Sequence, residues 1–217
     1  MQRAGLIALD QMHDGDLTRD EVLPLLAATD SRLQEAVLEV ISHRDGWNGE
    51  ALALFRDWLK SDISNDQADV LRRFLSAQAH DPSVQTFMAE SVVDASRSVA
   101  SRAVILESMA SAEVSDWPEA WTPVLASLLS TDDANLKLSA LQIIGSRGRT
   151  EFDADLQRLF TGDDQPHAVR IEALAALGQR REQIQDQERR FISEFLRSDA
   201  DLLLRLVRPV AQFLMLP

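Results

Sequence analysis

Residues 169–178 read Val-Arg-Ile-Glu-Ala-Leu-Ala-Ala-Leu-Gly. Apolar side chains recur in this stretch at Val169 and at the positions four, five, seven and eight residues later, and a glycine follows. This spacing places the apolar residues on one face of an α-helix, whereas a half-buried strand would require strict alternation. The stretch therefore predicts a helix with one buried face that ends near Gly178.

The same apolar pattern recurs along the whole chain. Its alignment gives seven segments, whose first buried residues are predicted at Met1, Leu33, Val70, Val99, Leu136, Val169 and Leu202. The successive spacings are 32, 37, 29, 37, 33 and 33 residues, and such a period accommodates two short helices with two turns. Gln78 and Glu107 interrupt the apolar stripe, so the third and fourth segments are the least regular.

Capping residues support a helix pair in each segment. An apolar pair followed by a turn residue precedes most of the aligned helices, as at Leu128-Leu129 before Asp132, and indicates the last turn of a first helix. N-caps of the second helices are predicted three residues before the first buried position, at Asp30, Ser96, Asp133 and Asp199. Gly145 and Gly178 are expected to end their helices.

These features predict an all-α fold of about six helical hairpins plus one N-terminal helix. We place that helix at 1–15 and the repeats at approximately 18–45, 46–81, 82–113, 116–148, 151–182 and 186–217, in a single domain over 1–217. Terminal units of a repeat array normally carry polar caps, because each unit buries its apolar face against its neighbours. Neither end of this sequence has such a cap, so we expect it to be a piece of a longer protein.

Two stretches resemble HEAT repeats, which belong to the armadillo-like helical class. Residues 122–133, from Thr122-Pro123-Val124-Leu125 to Asp132-Asp133, resemble the first helix and turn, and residues 169–178 resemble the second helix. The resemblance implies a right-handed α-α superhelix, a HEAT-like solenoid. It also implies a non-catalytic scaffold or spacer that contacts a protein or adjacent domains of the same chain.

A more specific similarity rests on the sequence Asp-Trp-Pro-Glu-Ala-Trp at 116–121 and on residues 166–178. Both are similar to the HEAT segment of large bacterial membrane-associated dehydrogenases that also carry a CxxCH haem-binding domain. That similarity implies a structural arm of a multidomain periplasmic enzyme, whereas a free-standing scaffold would be cytoplasmic. A third alternative is a HEAT-like enzyme such as a bilin lyase.

Composition bears on the class of partner. The chain has 22 Lys and Arg against 35 Asp and Glu, a formal net charge of −13, which opposes binding to nucleic acid or to an anionic membrane. No segment has the roughly 18 to 20 consecutive apolar residues of a membrane span. The first residues lack the long apolar core and small-residue cleavage site of a signal peptide, so we expect no export signal in this piece. The acidic pairs Asp132-Asp133 and Asp163-Asp164 are compatible with helix capping or with a basic partner.

The sequence carries none of the Gly-rich nucleotide-binding motifs, HExxH or GxSxG, and it has no cysteine. We therefore expect no catalytic site, no bound metal and no cofactor. His43 and His80 are assigned to helix ends, because histidines on adjacent repeats, about 8 to 10 Å apart, are too distant to share an ion.

The candidate partner-binding residues are two tryptophans and four arginines: Trp117, Trp121, Arg73, Arg102, Arg170 and Arg205. The tryptophans are four residues apart and can share one helical face, where indoles are favoured as interface anchors. Packing against the preceding repeat is the alternative reading. The arginines lie on second helices and could bind carboxylates of a partner, although interspersed Glu35, Glu39 and Glu172 also fit a mixed solvated surface.

Overall fold

A computed structural model describes residues 2–11, 17–27, 30–44, 46–178, 189–191 and 193. Every regular element in these ranges is helical, which confirms the prediction of an all-α fold. The α-helices are α1 (Gln2–Gln11), α2 (Arg19–Val22), α3 (Ser31–Ser42), α4 (Asn48–Trp58), α5 (Asn65–Ala77), α6 (Pro82–Val93), α7 (Val99–Ser111), α8 (Trp121–Leu128), α9 (Ala134–Arg147), α10 (Asp153–Thr161) and α11 (His167–Gly178). Two 3-10 helices cover Leu23–Ala27 and Thr150–Phe152.

The chain divides into two compact units, Met1–Val124 and Leu125–Pro217. In the first unit the odd-numbered helices pack in chain order, so that α1 contacts α3, α3 contacts α5 and α5 contacts α7. Helix α6 contacts both α4 and α7. Phe55 of α4 is fully buried, with its ring centroid 5.2 Å from that of Phe74 in α5 and 6.4 Å from that of Phe87 in α6. Aromatic burial of this kind is a large stabilising contribution to a helical core.

In the second unit, helix α11 contacts both α9 and α10. Gly145 lies inside α9, and a Cβ atom at this position would be 3.2 Å from the Cβ of Ala176 in α11. The absence of a side chain therefore permits a close approach of the two helices. The prediction that this helix ends at Gly145 is wrong, because α9 continues to Arg147 and ends at Gly148, which has a left-handed φ of 61°.

The odd-numbered helices from α3 to α11 begin at nearly constant intervals. Their first residues are Ser31, Asn65, Val99, Ala134 and His167, so successive starts lie 34, 34, 35 and 33 residues apart. This period is more regular than the one obtained by aligning apolar residues. The third residues of the five helices define a common register position, occupied by Leu33, Gln67, Ser101, Leu136 and Val169.

The positions four, seven and eight residues after the register position are buried in all five helices. Four residues on are Val37, Leu71, Ile105, Ala140 and Ala173; seven on are Val40, Phe74, Ser108, Ile143 and Ala176; eight on are Ile41, Leu75, Met109, Ile144 and Leu177. Residues spaced by four, seven and eight lie on one face of a helix. The five helices therefore bury the same face in the same register.

The predicted starts of the third and fourth segments are wrong. Val99 is 44% exposed and the register position of its helix is the buried Ser101, two residues later. The register position of α5 is Gln67, three residues before Val70. Both residues are polar, so an alignment of apolar residues passes over them. The polar side chain of Gln67 serves in the helix cap: its oxygen accepts a hydrogen bond from the backbone N–H of Ser64, the N-cap, at 2.9 Å.

The N-cap predictions have mixed outcomes. Asp30 and Asp133 are N-caps, and their side chains accept backbone N–H groups of α3 and α9. The prediction for Ser96 is wrong, because Ser98 caps α7. Ser96 instead donates from its hydroxyl to Asp94 at 2.6 Å, and this hydrogen bond lowers the pKa of Asp94. Asp199 and the predicted starts Met1 and Leu202 lie outside the described residues.

Candidate interaction groove

Arg102 and Arg170 occupy the same position of two helices and make the same hydrogen bond. Each is the fourth residue of its helix, α7 or α11. The Nε of Arg102 donates to the carbonyl oxygen of Val92 at 2.6 Å, and the Nε of Arg170 donates to the carbonyl oxygen of Phe160 at 3.0 Å. Both acceptors lie in the last turn of the preceding helix, where carbonyls have no partner within the helix. Both guanidinium groups thus bind the chain's own backbone, in contrast to the solvent-facing role that we expected.

The equivalent position in other helices carries related contacts. In α3, Gln34 donates from Nε2 to the carbonyl oxygen of Leu26 at 2.8 Å. In α9, Lys137 is nearly buried and donates to Oε1 of Gln165 at 3.0 Å. In α5 the residue is Ala68, which has no side-chain donor. The fourth residue of these helices is therefore a recurrent side-chain donor: in α3, α7 and α11 it bonds the preceding helix, whereas in α9 it bonds Gln165, which follows α10.

The two candidate tryptophans lie together, but only one of them reaches the surface. Their ring centroids are 5.8 Å apart in an edge-to-face arrangement. Trp121 is fully buried, and the Nε1 of the half-buried Trp117 donates to the hydroxyl of Thr122 at 2.8 Å. Trp121 therefore packs in the core and not at the surface where a partner-binding residue would lie, while Trp117 keeps some exposure.

Among the three candidate arginines that the structure describes, Arg73 is the one that faces solvent. Its side chain is 64% exposed and forms an ion pair with Glu35 of α3, whose side chain is 41% exposed. The neighbouring Arg72 pairs with Asp69 of its own helix and with Glu107 of α7, and these two carboxylates raise the pKa of the Arg72 guanidinium. Arg205 lies outside the described residues.

Two adjoining cavities lie between α3 and α5 in the first unit, and we call them together the α3–α5 groove. The larger has a volume of about 650 Å³ and is bounded by the N-terminal halves of both helices and by Trp58 at the end of α4. The smaller has a volume of about 220 Å³ and continues along α3 and α5 towards their C-termini. Glu35, Val70 and Arg73 line both cavities, so the Glu35–Arg73 ion pair lies where the two cavities meet.

The two parts of the groove differ in chemistry. Arg32, Asp66 and Asp69 make the larger cavity polar, with the half-buried indole of Trp58 at its edge. The smaller cavity has apolar walls formed by Leu38, Val70, Phe74 and Ala77, and Glu39 and Ser42 are also on its lining. The groove can therefore accept an apolar side chain next to charged groups, a combination typical of protein interfaces.

Glu172 is more buried than the sequence predicts. It is half-buried in α11, and this burial raises the pKa of its carboxyl group. The neighbouring Arg170 pairs with Asp163 at 3.4 Å, between Nη1 and Oδ1. The sequence placed Glu172 on a mixed solvated surface, but burial of a carboxylate disfavours its charged form.

His43 and His80 are exposed near the C-terminal ends of α3 and α5, as their assignment to helix ends predicts. Within the described ranges, no three His, Cys, Asp or Glu side chains are grouped so that they could hold a metal ion. The same part of the chain contains no helix that is long and apolar enough to span a bilayer.

Sequence reasoning found Arg73 and named Glu35 and Glu39, but it missed the groove that they line. Three residues of its lining, Trp58, Asp66 and Asp69, are not among the predicted candidates. The correct register places Asp66 in the first turn of α5, two residues after the N-cap Ser64. No family model matches the chain, and comparisons with curated proteins and with solved structures gave no match.

Proposed function

We propose that this chain is a HEAT-like scaffold without catalytic activity of its own, which binds a partner protein through its exposed helical surface. The observation that carries the proposal is the shared register of the five odd-numbered helices, which bury equivalent residues at intervals of 33 to 35 residues. Repetition of this kind is typical of α-solenoids, in which each unit contacts its neighbours and leaves a long surface free for binding.

The packing order within the first unit supports the same proposal. Helices α1, α3, α5 and α7 contact one another in chain order, as neighbouring repeats of a solenoid do. The recurrent Arg102 and Arg170 hydrogen bonds add a repeated polar contact to the repeated apolar one. We therefore infer a right-handed α-α superhelix for the chain.

Small-angle X-ray scattering tests the proposed shape. A compact globule of 217 residues has a radius of gyration of about 17 Å. A solenoid gives a clearly larger value and an asymmetric distribution of interatomic distances with a long tail. A symmetric distribution with a radius of gyration near that of a globule would contradict the superhelix.

Chemical crosslinking of the full chain in a lysate, followed by mass spectrometry, tests the proposed role. The control is an unrelated helical protein of similar size and net charge, because a chain of net charge −13 attracts basic proteins non-specifically. We expect partners that are captured by this chain and not by the control. Identical capture by the two proteins would contradict a specific binding role.

A further inference from the structure

We propose that the α3–α5 groove binds a basic, amphipathic segment of a partner protein, and that a Lys or Arg of that segment replaces Arg73 as the ion-pair partner of Glu35. This inference rests on the proposed protein-binding function and adds the site and the chemistry of the partner. It follows from the charge of the groove, its apolar walls and the position of the Glu35–Arg73 pair.

The charge of the groove favours a cationic partner. Four acidic residues, Glu35, Glu39, Asp66 and Asp69, line the two cavities against two arginines, Arg32 and Arg73. Residues 1–124, which form the first unit, contain 10 Lys and Arg and 21 Asp and Glu, a net charge of −11. Such a field increases the encounter rate with basic segments and repels acidic ones.

Two of these carboxylates are free to receive a cation. Glu39 and Asp66 are exposed, and neither forms an ion pair with the residues that the structure describes. Asp69, in contrast, is paired with Arg72. Glu39 lines the smaller cavity and Asp66 the larger one, so a bound segment that fills both cavities can place a basic residue beside each.

The smaller cavity provides the apolar contact. Leu38 and Phe74 are almost fully buried, and Val70 is half-exposed between them and the solvent. An apolar side chain of the partner inserted here would cover Val70, and its burial would contribute most of the affinity while the charges provide selectivity. The partner segment therefore carries an apolar residue flanked by basic residues.

The Glu35–Arg73 pair lies at the junction of the two cavities and must open for one segment to occupy both. Exposed ion pairs of this kind contribute little to stability, because water screens both charges. Arg73 is also the more exposed of the two partners, at 64% against 41% for Glu35. A cation from the partner can therefore displace Arg73 at small cost and leave Glu35 paired.

Selection from a phage-displayed library of random peptides on the full chain tests this proposal without assuming a sequence. We expect the enriched peptides to be rich in Lys or Arg with at least one large apolar residue. Enrichment of acidic peptides would overturn the proposal. Failure to enrich any peptide over the Glu39→Lys/Asp66→Lys variant would overturn it as well.

Fluorescence anisotropy with an enriched peptide then locates the site. Reversal of both free carboxylates in the Glu39→Lys/Asp66→Lys variant should weaken binding by about tenfold or more. The matched control is Glu90→Lys/Glu113→Lys, which reverses two exposed acidic residues of the first unit outside the groove and should change affinity by less than about threefold. Equal losses in the two double variants would show that only net charge matters and would overturn the groove.

The Arg73→Ala variant tests the exchange of ion-pair partners. Removal of Arg73 frees Glu35, so the affinity for the basic peptide should rise by a few fold, and the Arg73→Ala/Glu35→Gln double variant should lose this gain. Weaker binding by Arg73→Ala would overturn the exchange. If crosslinking captures a partner equally with the groove variant and the wild-type chain, the protein-binding function stands and the groove proposal falls.

Discussion

The hydrogen bond from Arg102 to the last turn of α6 predicts a large effect of one half-buried side chain on stability. The Arg102→Met substitution keeps the aliphatic part of the side chain and removes the guanidinium donor. The carbonyl oxygen of Val92, which accepts from Nε at 2.6 Å, then loses its side-chain partner. Hydrogen bonds that involve a charged group contribute about 1.5 to 3 kcal/mol, so we expect a loss of that size in the free energy of unfolding.

The matched control is Arg73→Met, which removes an arginine two thirds exposed from the neighbouring helix α5. Its ion pair with Glu35 contributes at most about 1 kcal/mol, because the pair is exposed to solvent. A third variant, Arg102→Gln, tests the mechanism. Gln34 makes the same contact in α3, with its Nε2 atom 2.8 Å from the carbonyl oxygen of Leu26, so a glutamine should restore part of the lost stability.

Tryptophan fluorescence during thermal unfolding measures these differences. All four tryptophans lie in residues 1–124, the same unit as Arg102, so the emission reports on the part of the chain that the substitution affects. A loss of 1 kcal/mol lowers the melting temperature of a domain of 150 to 250 residues by about 2 to 4 °C. The reasoning fails if Arg102→Met and Arg73→Met lower the melting temperature equally, or if Arg102→Gln is as unstable as Arg102→Met.

Four further substitutions test the structure, two expected to destabilise it and two expected to be neutral or stabilising. Glu172→Gln should stabilise the chain at neutral pH, because burial raises the pKa of this carboxyl in the folded state. The gain should disappear below about pH 4, where the carboxyl is protonated in both the folded and the unfolded state. Equal gains at the two pH values would contradict the burial effect. Asp81 is partly buried, which opposes its ionisation, but hydrogen bonds from Ser83 and Asn48 lower its pKa overall. Asp81→Asn should therefore destabilise the chain at neutral pH, and the loss should shrink as the pH falls through the pKa of the folded state. Urea unfolding at neutral and at acidic pH measures this difference. Gly145→Val should lower the free energy of unfolding by about 1 to 3 kcal/mol, because the new side chain pushes α9 away from α11. Gly49→Ala is the control: this helical position has open space around it, so the free energy of unfolding should stay the same or rise by up to about 1 kcal/mol in the same assay.

The apolar repeat predicted the helical class but not the register of its middle part. Leu33, Leu136 and Val169 were placed correctly because the register position is apolar in those helices. In α5 and α7 the same position holds Gln67 and Ser101, which take part in the polar network at the N-terminus of the helix. Hydrophobic periodicity cannot detect a polar residue at the register position, so the apolar alignment moves to the nearest valine.

The same error in register hid the role of Arg102. Arg170 directly follows the apolar register residue Val169, so its place after the start of the buried stripe is visible in the sequence. Arg102 follows Ser101, which the apolar alignment does not mark, so its equivalence to Arg170 is not visible in the sequence. For the two indoles the sequence leaves a surface patch and a core contact open, and the structure places Trp121 in the core.

The groove itself could not be predicted from sequence, because a cavity depends on how closely two helices approach. Sequence identifies which residues face the same side of α3 and α5, but not the space left between them. The interruption at Gln78 was a more informative signal. Gln78 is buried, and it donates to the backbone oxygen of Ser42 at 2.8 Å and accepts from Asn48 at 3.3 Å, which joins three segments of the first unit.

The helix pairs on either side of α5 differ in a way that affects mechanical stiffness. Helix α5 contacts α7 more extensively than it contacts α3. The polar contacts are balanced, because each side carries one ion pair, Arg72–Glu107 or Arg73–Glu35, and a hydrogen bond to a backbone oxygen, from Ser76 to Ser108 or from Gln78 to Ser42. Bending or tension applied to the first unit should therefore concentrate between α3 and α5. A segment bound in the groove would contact both helices and resist their separation. A pulling force that widens the groove would in turn change the affinity for that segment, so mechanical force and binding would be coupled.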